Sequence, residues 1–179
     1  MRNGLPLLLL FAATTLLLTS SPALAGKTSA IVNGRSYHID SNYKWNEDNY
    51  GFGLEHEFSP RGAWKTVAMA SGFRDSTNHM SYMAGAGIHR RIFETDRLSG
   101  FYVYAGLNAF LMSRDDVNEG KPFPGILPNI SVGTEKVGLN LTYVPGKAID
   151  EMADANFLDP SLSGILFLQV KIRLDQLLP

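Results

Sequence analysis

The chain has 179 residues, 45% of them apolar, and contains no cysteine, so disulfides play no part in its stability. Its 16 basic and 17 acidic residues leave a formal net charge of −1, which argues against nucleic acid as a partner. The charge balance points to no other partner, so the fold and function have to come from the order of the residues.

The amino-terminal residues have the pattern of a secretory signal peptide. Arg2 provides a basic start, Leu5–Leu18 are almost wholly apolar, and small residues end the segment at Ala25. The apolar run is shorter than the roughly 20 residues that a membrane-spanning helix needs. We therefore expect a signal peptide over residues 1–25, cleaved to leave a single domain over residues 26–179. Export without cysteine fits the Gram-negative cell envelope.

After residue 25 the dominant signal is a hydrophobic alternation with a period of two. In Tyr50–Phe58, YGFGLEHEF, aromatic and aliphatic side chains share one face, while Glu55 and Glu57 share the other with glycines. In GILFLQVKIRL, aliphatic residues alternate with polar ones that include Lys171 and Arg173. Alternation of this kind predicts half-buried strands.

The runs of alternation predict eight strands, and no helical period long enough to cross a membrane accompanies them. The expected fold is therefore an all-β, eight-stranded antiparallel barrel. We expect the strands near Gly34–Ile39, Tyr50–Phe58, Trp64–Arg74, Met80–Arg90, Phe101–Met112, Gly125–Val132, Val137–Tyr143 and Gly164–Arg173.

Two kinds of eight-stranded barrel fit this pattern. Most connections alternate between long and short, as in outer-membrane barrels, although residues 75–79 and 91–100 do not follow the rule. A soluble barrel of the lipocalin kind has the same period but turns its apolar face inward. Periodicity leaves the orientation of the faces open, and composition favours the outer-membrane barrel, whose interior the charged residues would fill as pairs.

One rim of the expected barrel collects three residues that suit acyl transfer. Odd-numbered strands end at the same rim, so His38 lies at the same end of the barrel as Asp75 and Ser76. An imidazole can take a proton from an attacking oxygen, while a carboxylate orients the imidazole or balances its charge. Because Asp and Ser also favour ordinary turns, spacing alone leaves both interpretations open.

A series of short motifs adds to this picture. From His38 to Pro145 the chain carries, in order, YHID, YGFGLEHEF, VAMASGFRDS, MAGAGI, SRDDVN, FPGILPNISVG and LTYVPG. In these motifs, above all FRDS and ILP followed by TYVPG, the chain resembles the lipid A palmitoyltransferases of Gram-negative outer membranes, the PagP family. The resemblance implies an outer-membrane barrel that moves a palmitoyl chain from a phospholipid to lipid A without a cofactor.

The resemblance also implies which residues carry the reaction. The catalytic positions of the family match His38, Asp75 and Ser76. On this basis His38 is the base and Ser76 is either the nucleophile or an oxyanion donor. Asp75 keeps either the histidine or the loop in place.

Four further positions are implied to meet the substrates. Gly87 matches a small residue at the floor of an acyl pocket, where it acts as a ruler for chain length. Arg114 matches a loop arginine that could contact a lipid A phosphate. Pro128 and Pro145 match prolines that weaken strand pairing and let lipid enter from the side.

Other polar residues give weaker signals. His56, His79 and His89 are scattered without the spacing of metal ligands, so we expect no metal site. The loop KWNEDNY, with Asn46, Glu47 and Asn49, could steady the rim near the candidate histidine, although such loops are usually solvated turns.

Three functions remain open from sequence. The first is a monomeric acyltransferase embedded in the outer membrane, with a phospholipid donor and lipid A as its partners. The second is a non-catalytic barrel of the same lineage that binds lipid or reinforces the envelope. The third is a soluble periplasmic carrier of the lipocalin kind. The presence of His38, Asp75 and Ser76 together favours the enzyme.

Overall fold

In a computed structural model of the chain, eight antiparallel strands close into one barrel, which confirms the expected fold. The structure describes residues 26–152, residue 159 and residues 161–175, so the expected signal peptide lies outside the described residues. Each strand pairs with its neighbours in sequence, and the last pairs with the first. The strands are β1 (Gly26–Ile39), β2 (Asp48–Phe58), β3 (Trp64–Arg74), β4 (Met80–Thr95), β5 (Phe101–Ser113), β6 (Phe123–Gly133), β7 (Val137–Pro145) and β8 (Gly164–Arg173).

β1 is longer than the alternation predicts, because it begins at Gly26 rather than near Gly34. Its interior face in this part carries Ser29, Ile31 and Asn33, all buried. Because this face mixes the apolar Ile31 with two polar residues, the alternation between apolar and polar positions is not visible in the sequence here. The sequence signal is therefore weak, although the strand pairs with β2 from Gly26 and with β8 from Ser29.

β4 also runs further than expected, to Thr95 rather than Arg90. Its pairing with β5 shifts by one residue between Arg91 and Phe93, which marks a β-bulge. Since a bulge moves the following side chains to the opposite face, the alternation breaks there and predicts too early an end for the strand. The true connection is the short turn over residues 96–100.

The three longest connections of the barrel, 40–47, 114–122 and 146–163, lie on one rim, as in outer-membrane barrels. This upper rim, defined by the ends of the odd-numbered strands, also carries the short turn 75–79, the exception expected from sequence, and the lower rim carries 59–63, 96–100 and 134–136. Tight turns with residues at positive φ occur at Arg97–Gly100 and Asn118–Gly120, and a short helix spans Gly146–Met152. Among the described residues, no helix is both long and apolar enough to cross a membrane.

The apolar faces of the strands point outward. Along β2, Tyr50, Phe52 and Leu54 expose 66%, 76% and 50% of their surface, whereas Glu55 and Glu57 are buried. A barrel in water would expose the charged face instead, because exposed aromatic belts are costly in water. The orientation is therefore that of a barrel surrounded by lipid rather than of the lipocalin kind.

Charged side chains fill the lower half of the interior. This interior ion cluster consists of Glu55, Glu57, Lys65, Lys171 and Arg173, all buried. Lys171 Nζ lies 2.8 Å from Glu55 Oε1 and 2.5 Å from Glu57 Oε1. Glu57 also pairs with Lys65 at 2.9 Å and with Arg173 at 2.8 Å. The pairs join β2, β3 and β8 across the barrel and offset the cost of removing these charges from water.

Replacing the central lysine should therefore weaken the barrel. We expect Lys171→Met to lower the free energy of unfolding by about 3–5 kcal/mol, because it leaves buried carboxylates without their main counter-charge. The measurement is urea unfolding of the full chain in detergent micelles. Lys136→Met, in an exposed lower turn, is the matched control and should unfold like the wild type. Equal midpoints for Lys171→Met and wild type would contradict a stabilising role of the cluster.

Candidate active site

The upper half of the interior holds a mostly apolar cavity of about 170 Å³. It extends from the upper rim, where His38 and Ser76 line it, down to Asn108 and Gln169. Apolar side chains from five strands form much of its wall: Met69, Phe73, Met83, Phe110, Leu127 and Phe167. Such a space suits a hydrocarbon chain with a polar group held at the rim.

His38 and Ser76 form a hydrogen-bonded pair at the mouth of this cavity. His38 Nε2 lies 3.0 Å from Ser76 Oγ, and both residues are buried. β1 carries the histidine to the upper rim, and β3 ends just before the serine, so the antiparallel order brings them together. A hydroxyl within hydrogen-bond distance of an imidazole nitrogen is the arrangement of an activated nucleophile and its base.

Asp75 holds the turn that carries the serine and does not face the histidine. Its Oδ1 accepts hydrogen bonds from the backbone N–H and the hydroxyl of Thr77, at 2.9 and 2.7 Å, and from the backbone N–H of His79 at 3.0 Å. Its Oδ2 accepts a hydrogen bond from Ser81 at 2.6 Å. Within the described residues, His38 is not among the donors to this carboxylate. The sequence left two roles open for Asp75, to keep the histidine or the loop in place, and the geometry fits the second.

Arg114 lies beside Asp75 in the cavity wall. Its Nε is 3.9 Å from Asp75 Oδ2, and its guanidinium donates two hydrogen bonds to Asp116, at 2.9 and 2.7 Å. Burial raises the pKa of Asp75, but hydrogen bonds from Ser81 and Thr77 and the charge of Arg114 outweigh it and leave the pKa below its ordinary value. Asp75 is therefore ionised near neutral pH. A contact between Arg114 and a lipid A phosphate stays a prediction.

The loop after β1 covers the other side of the histidine. The Trp45 ring stacks on the His38 ring, with centroids 4.9 Å apart and planes 10° from parallel. The backbone N–H of His38 donates to Glu47 Oε1 at 3.4 Å, and the same oxygen lies 3.7 Å from His38 Nδ1. Glu47 is fixed in turn by its backbone carbonyl, which accepts a hydrogen bond from the Ser36 N–H at 3.0 Å.

Two asparagines, one in this loop and one at the start of β2, hold the turn after β3. Asn46 donates its backbone N–H to the Ser76 carbonyl at 3.0 Å and its side-chain Nδ2–H to the Asp75 carbonyl at 2.8 Å. Asn49 Nδ2 donates to the Arg74 carbonyl at 2.9 Å. The loop therefore does more than solvate the rim, because it ties the two halves of the candidate pair to one segment.

A second set of contacts fastens this loop to the connection before β8. Ser41 Oγ donates to Asp159 Oδ2 at 2.5 Å and accepts from Trp45 Nε1 at 2.6 Å. Ser161 donates to the other carboxylate oxygen of Asp159. Hydrogen bonds from Ser161 and Ser41 lower the pKa of Asp159 to about 2. The carboxylate therefore stays ionised and keeps both loops together at ordinary pH.

Three residues of this rim are absent from the sequence predictions: Trp45, Asp116 and Asp159. Trp45 stands directly before Asn46 in the loop KWNEDNY, so the sequence could have predicted that it lies near His38. Asp116 follows Arg114 by two residues, close enough for a turn to pair them. Asp159 gives no such signal, because its partner Ser41 is 118 residues away.

The two prolines lie where β6 and β7 separate. These strands pair from Asn129 opposite Thr142 down to the lower rim, and the described residues show no pairing between them above that point. Pro128 stands directly above the last pair, and Pro145 ends β7. Since proline has no N–H to donate, both positions suit a stretch without a hydrogen-bonded ladder. The result is a stretch of the upper wall, beside the cavity, in which β6 and β7 are not joined by a paired ladder.

Gly87 does not line the cavity in the described part of the chain. It lies at the level of the cavity floor, directly opposite Asn108 on β5. A Cβ at Gly87 would collide with Asn108 Oδ1 and would lie 3.0 Å from Val67 Cγ2. Asn108, which does line the cavity, is held in this position by His89, whose Nε2 is 2.8 Å from Asn108 Oδ1. The ruler role of Gly87 stays a prediction, and any effect of the position would pass through Asn108.

The remaining histidines have local partners. His56 Nδ1 lies 2.9 Å from Thr28 Oγ1 in the lower half of the barrel, and His79 lies beside Thr77 in the upper rim. In the described ranges, no group of three or more histidine, aspartate or glutamate side chains has the geometry to hold a metal ion.

Several known proteins are similar to the chain. The lipid A acyltransferase PagP of Bordetella pertussis strain CS is 35% identical over 117 residues, which cover 64% of this chain and 61% of that protein. The lipid A acyltransferase PagP of Methylobacillus flagellatus is 31% identical over 112 residues, 62% of this chain and 59% of that protein. The chain thus matches about three fifths of the length of these relatives.

Among solved structures, the outer membrane protein Ail of Yersinia pestis in a phospholipid bilayer nanodisc aligns with a TM-score of 0.40 and 11% identity, over 83% of this chain and 99% of that one. The family described as "Antimicrobial peptide resistance and lipid A acylation protein PagP" matches residues 27–157. This match includes seven of the eight strands and both members of the His38–Ser76 pair. The chain belongs to the PagP family.

Proposed function

We propose that this chain is an acyltransferase of the Gram-negative outer membrane that moves a palmitoyl chain from a phospholipid to lipid A. The observation that carries the proposal is the hydrogen-bonded His38–Ser76 pair at the mouth of an apolar cavity. The family description and the names of the relatives support lipid A as the acceptor. The outward apolar faces of the strands support the location.

The proposed reaction exchanges one ester for another. The ester C–O bond of the phospholipid breaks, and a new C–O bond forms between the acyl carbon and a hydroxyl of lipid A. The proton of that hydroxyl ends on the lysophospholipid, and His38 Nε2 is the group that carries it. Ser76 Oγ, 3.0 Å from this nitrogen, acts at the acyl carbonyl as nucleophile or as hydrogen-bond donor to the oxyanion.

The apolar cavity supports a long acyl chain as the group transferred. A hydrocarbon tail that leaves the bilayer gains nothing unless it enters an equally apolar space, since each methylene contributes about 0.8 kcal/mol when buried. Methionine and phenylalanine side chains line such a space directly below Ser76. We propose that the lipid enters sideways through the unpaired stretch between β6 and β7, next to Pro128 and Pro145.

Removing either member of the pair should nearly abolish transfer. We expect Ser76→Ala and His38→Ala each to lower kcat by about 10²–10⁴-fold, the usual contribution of general acid–base catalysis. The double variant should be little worse than either single one, because the two residues act as a unit. The measurement is acyl transfer from a synthetic phospholipid to lipid A by the refolded full chain in micelles.

Two matched controls accompany these variants. Ser113→Ala removes another serine hydroxyl of the upper rim, and His79→Ala removes an exposed rim histidine, so both should keep full activity. Intact mass during turnover separates the roles of Ser76, because only a nucleophile leaves an acyl group on the protein. Full transfer by Ser76→Ala would contradict the proposal and leave a lipid-binding barrel without catalysis.

The acyl chain transferred should become shorter when Gly87 is enlarged. In Gly87→Met the new side chain must displace the Asn108 carboxamide, which then moves into the floor of the cavity. Overlap with a buried tail costs more than the about 0.8 kcal/mol lost with each omitted methylene, so the enzyme should accept shorter donors. The measurement is the chain-length profile of the transferred acyl groups, alongside thermal stability.

The double variant Gly87→Met/Asn108→Ala serves as the matched comparison. Removing the carboxamide frees the space that the methionine needs, so the profile should return toward the wild-type length. An unshifted profile in a folded and active Gly87→Met protein would show that this position does not limit the chain.

A further inference from the structure

The carboxylate that faces the candidate base lies in the loop after β1, not in the turn after β3. His38 Nδ1 is buried and has no hydrogen-bond partner among the described residues. Among the described residues, the carboxylate oxygen that faces it is Glu47 Oε1, at 3.7 Å. Asp75, the acid that sequence places in the site, accepts hydrogen bonds from its own turn and from β4.

A base of this kind needs a partner on its second nitrogen. When Nε2 accepts the proton of a hydroxyl, a neutral imidazole must carry its own hydrogen on Nδ1, and a carboxylate there fixes this tautomer and stabilises the cation that forms. We propose that Glu47 is this partner, so that Ser76, His38 and Glu47 form the reacting unit. The inference rests on the proposed function of the pair.

The loop is built to bring Glu47 to this place. Its backbone carbonyl accepts from the Ser36 N–H at 3.0 Å, which continues the pairing of β1, and its Oε1 accepts from the His38 N–H at 3.4 Å. A rotation of the carboxylate that shortens the 3.7 Å distance to Nδ1 therefore needs no movement of the backbone. Catalytic hydrogen bonds are often long in the free enzyme and tighten when the substrate binds.

The residues on either side of this position act on the same pair. Trp45 stacks on the His38 ring and limits its rotation. Asn46 holds the Ser76 carbonyl through its backbone N–H at 3.0 Å. Three consecutive residues thus contact the ring face, the serine backbone and the free imidazole nitrogen, which is more than a solvated loop requires.

The neighbouring arginine, Arg35, does not occupy the carboxylate oxygen of Glu47 that faces His38. Arg35 Nη2 lies 3.8 Å from Glu47 Oε2, whereas Arg35 Nε makes a closer pair with Asp48 Oδ1 at 3.0 Å. The arginine therefore contacts the carboxylate oxygen that points away from the histidine. Glu47 Oε1 remains directed at the imidazole.

The test compares three isosteric variants of the refolded full chain in micelles, with a synthetic phospholipid donor and lipid A. Glu47→Gln keeps the shape and removes the charge, and should lower kcat by about 10²-fold or more with little change in the apparent KM for the phospholipid. Asp48→Asn, the matched control, removes the neighbouring charge at the first residue of β2 and should leave kcat unchanged. Asp75→Asn should lower the thermal stability of the rim as well as activity, because it removes acceptors of the turn.

A double-mutant cycle separates positioning from a general effect on folding. In a His38→Ala background, Glu47→Gln should cause no further loss of the residual transfer, because Glu47 acts only through the imidazole. Wild-type kcat in Glu47→Gln, or an additive loss in the double variant, would overturn the inference while leaving the proposed enzyme intact. An inactive wild type in the same assay would instead refute the proposed function.

Discussion

The pairing of Lys171 with Glu55 and Glu57 is the interaction on which the rest of the barrel depends. With apolar faces turned outward, the interior receives the polar residues of every strand, and a charge enclosed there is tolerated only when it is paired. These pairs cross from β8 to β2 and fill the lower half. Their position also determines where the cavity lies, because only the upper half remains open to an apolar guest.

This division of the interior explains the placement of the site. The cavity ends at Asn108 and Gln169, above the charged layer, and its mouth is the upper rim where the loops are long. A tail buried in such a cavity brings its ester to the level of His38 and Ser76. The loop from residue 40 to residue 47 then supplies what the strands cannot, because it reaches over the rim and contacts both residues from outside the barrel.

The sequence predicts the architecture well because successive residues of a lipid-facing strand alternate between the apolar outside and the polar inside. In β2 the outward residues are Tyr50, Phe52 and Leu54, and the inward ones include Glu55 and Glu57. The prediction was wrong where that pattern is locally broken, at the start of β1 and at the bulge after Arg91.

The meeting of His38 and Ser76 was predictable from strand parity alone, because odd-numbered strands end at the same rim. Strand parity could not predict the orientations of Asp75 and Glu47. Which carboxylate faces the imidazole depends on hydrogen bonds between loops that are far apart in sequence.

The central claim is that a barrel with this rim acylates lipid A. The most direct test is mass spectrometry of lipid A from Gram-negative cells that lack an enzyme of this kind and express either the full chain or its Ser76→Ala variant, with both proteins checked for folding. The account predicts lipid A with one additional palmitoyl group only in cells with the unaltered chain. Lipid A of identical mass in both strains, with the folded protein present in the outer membrane, would contradict it.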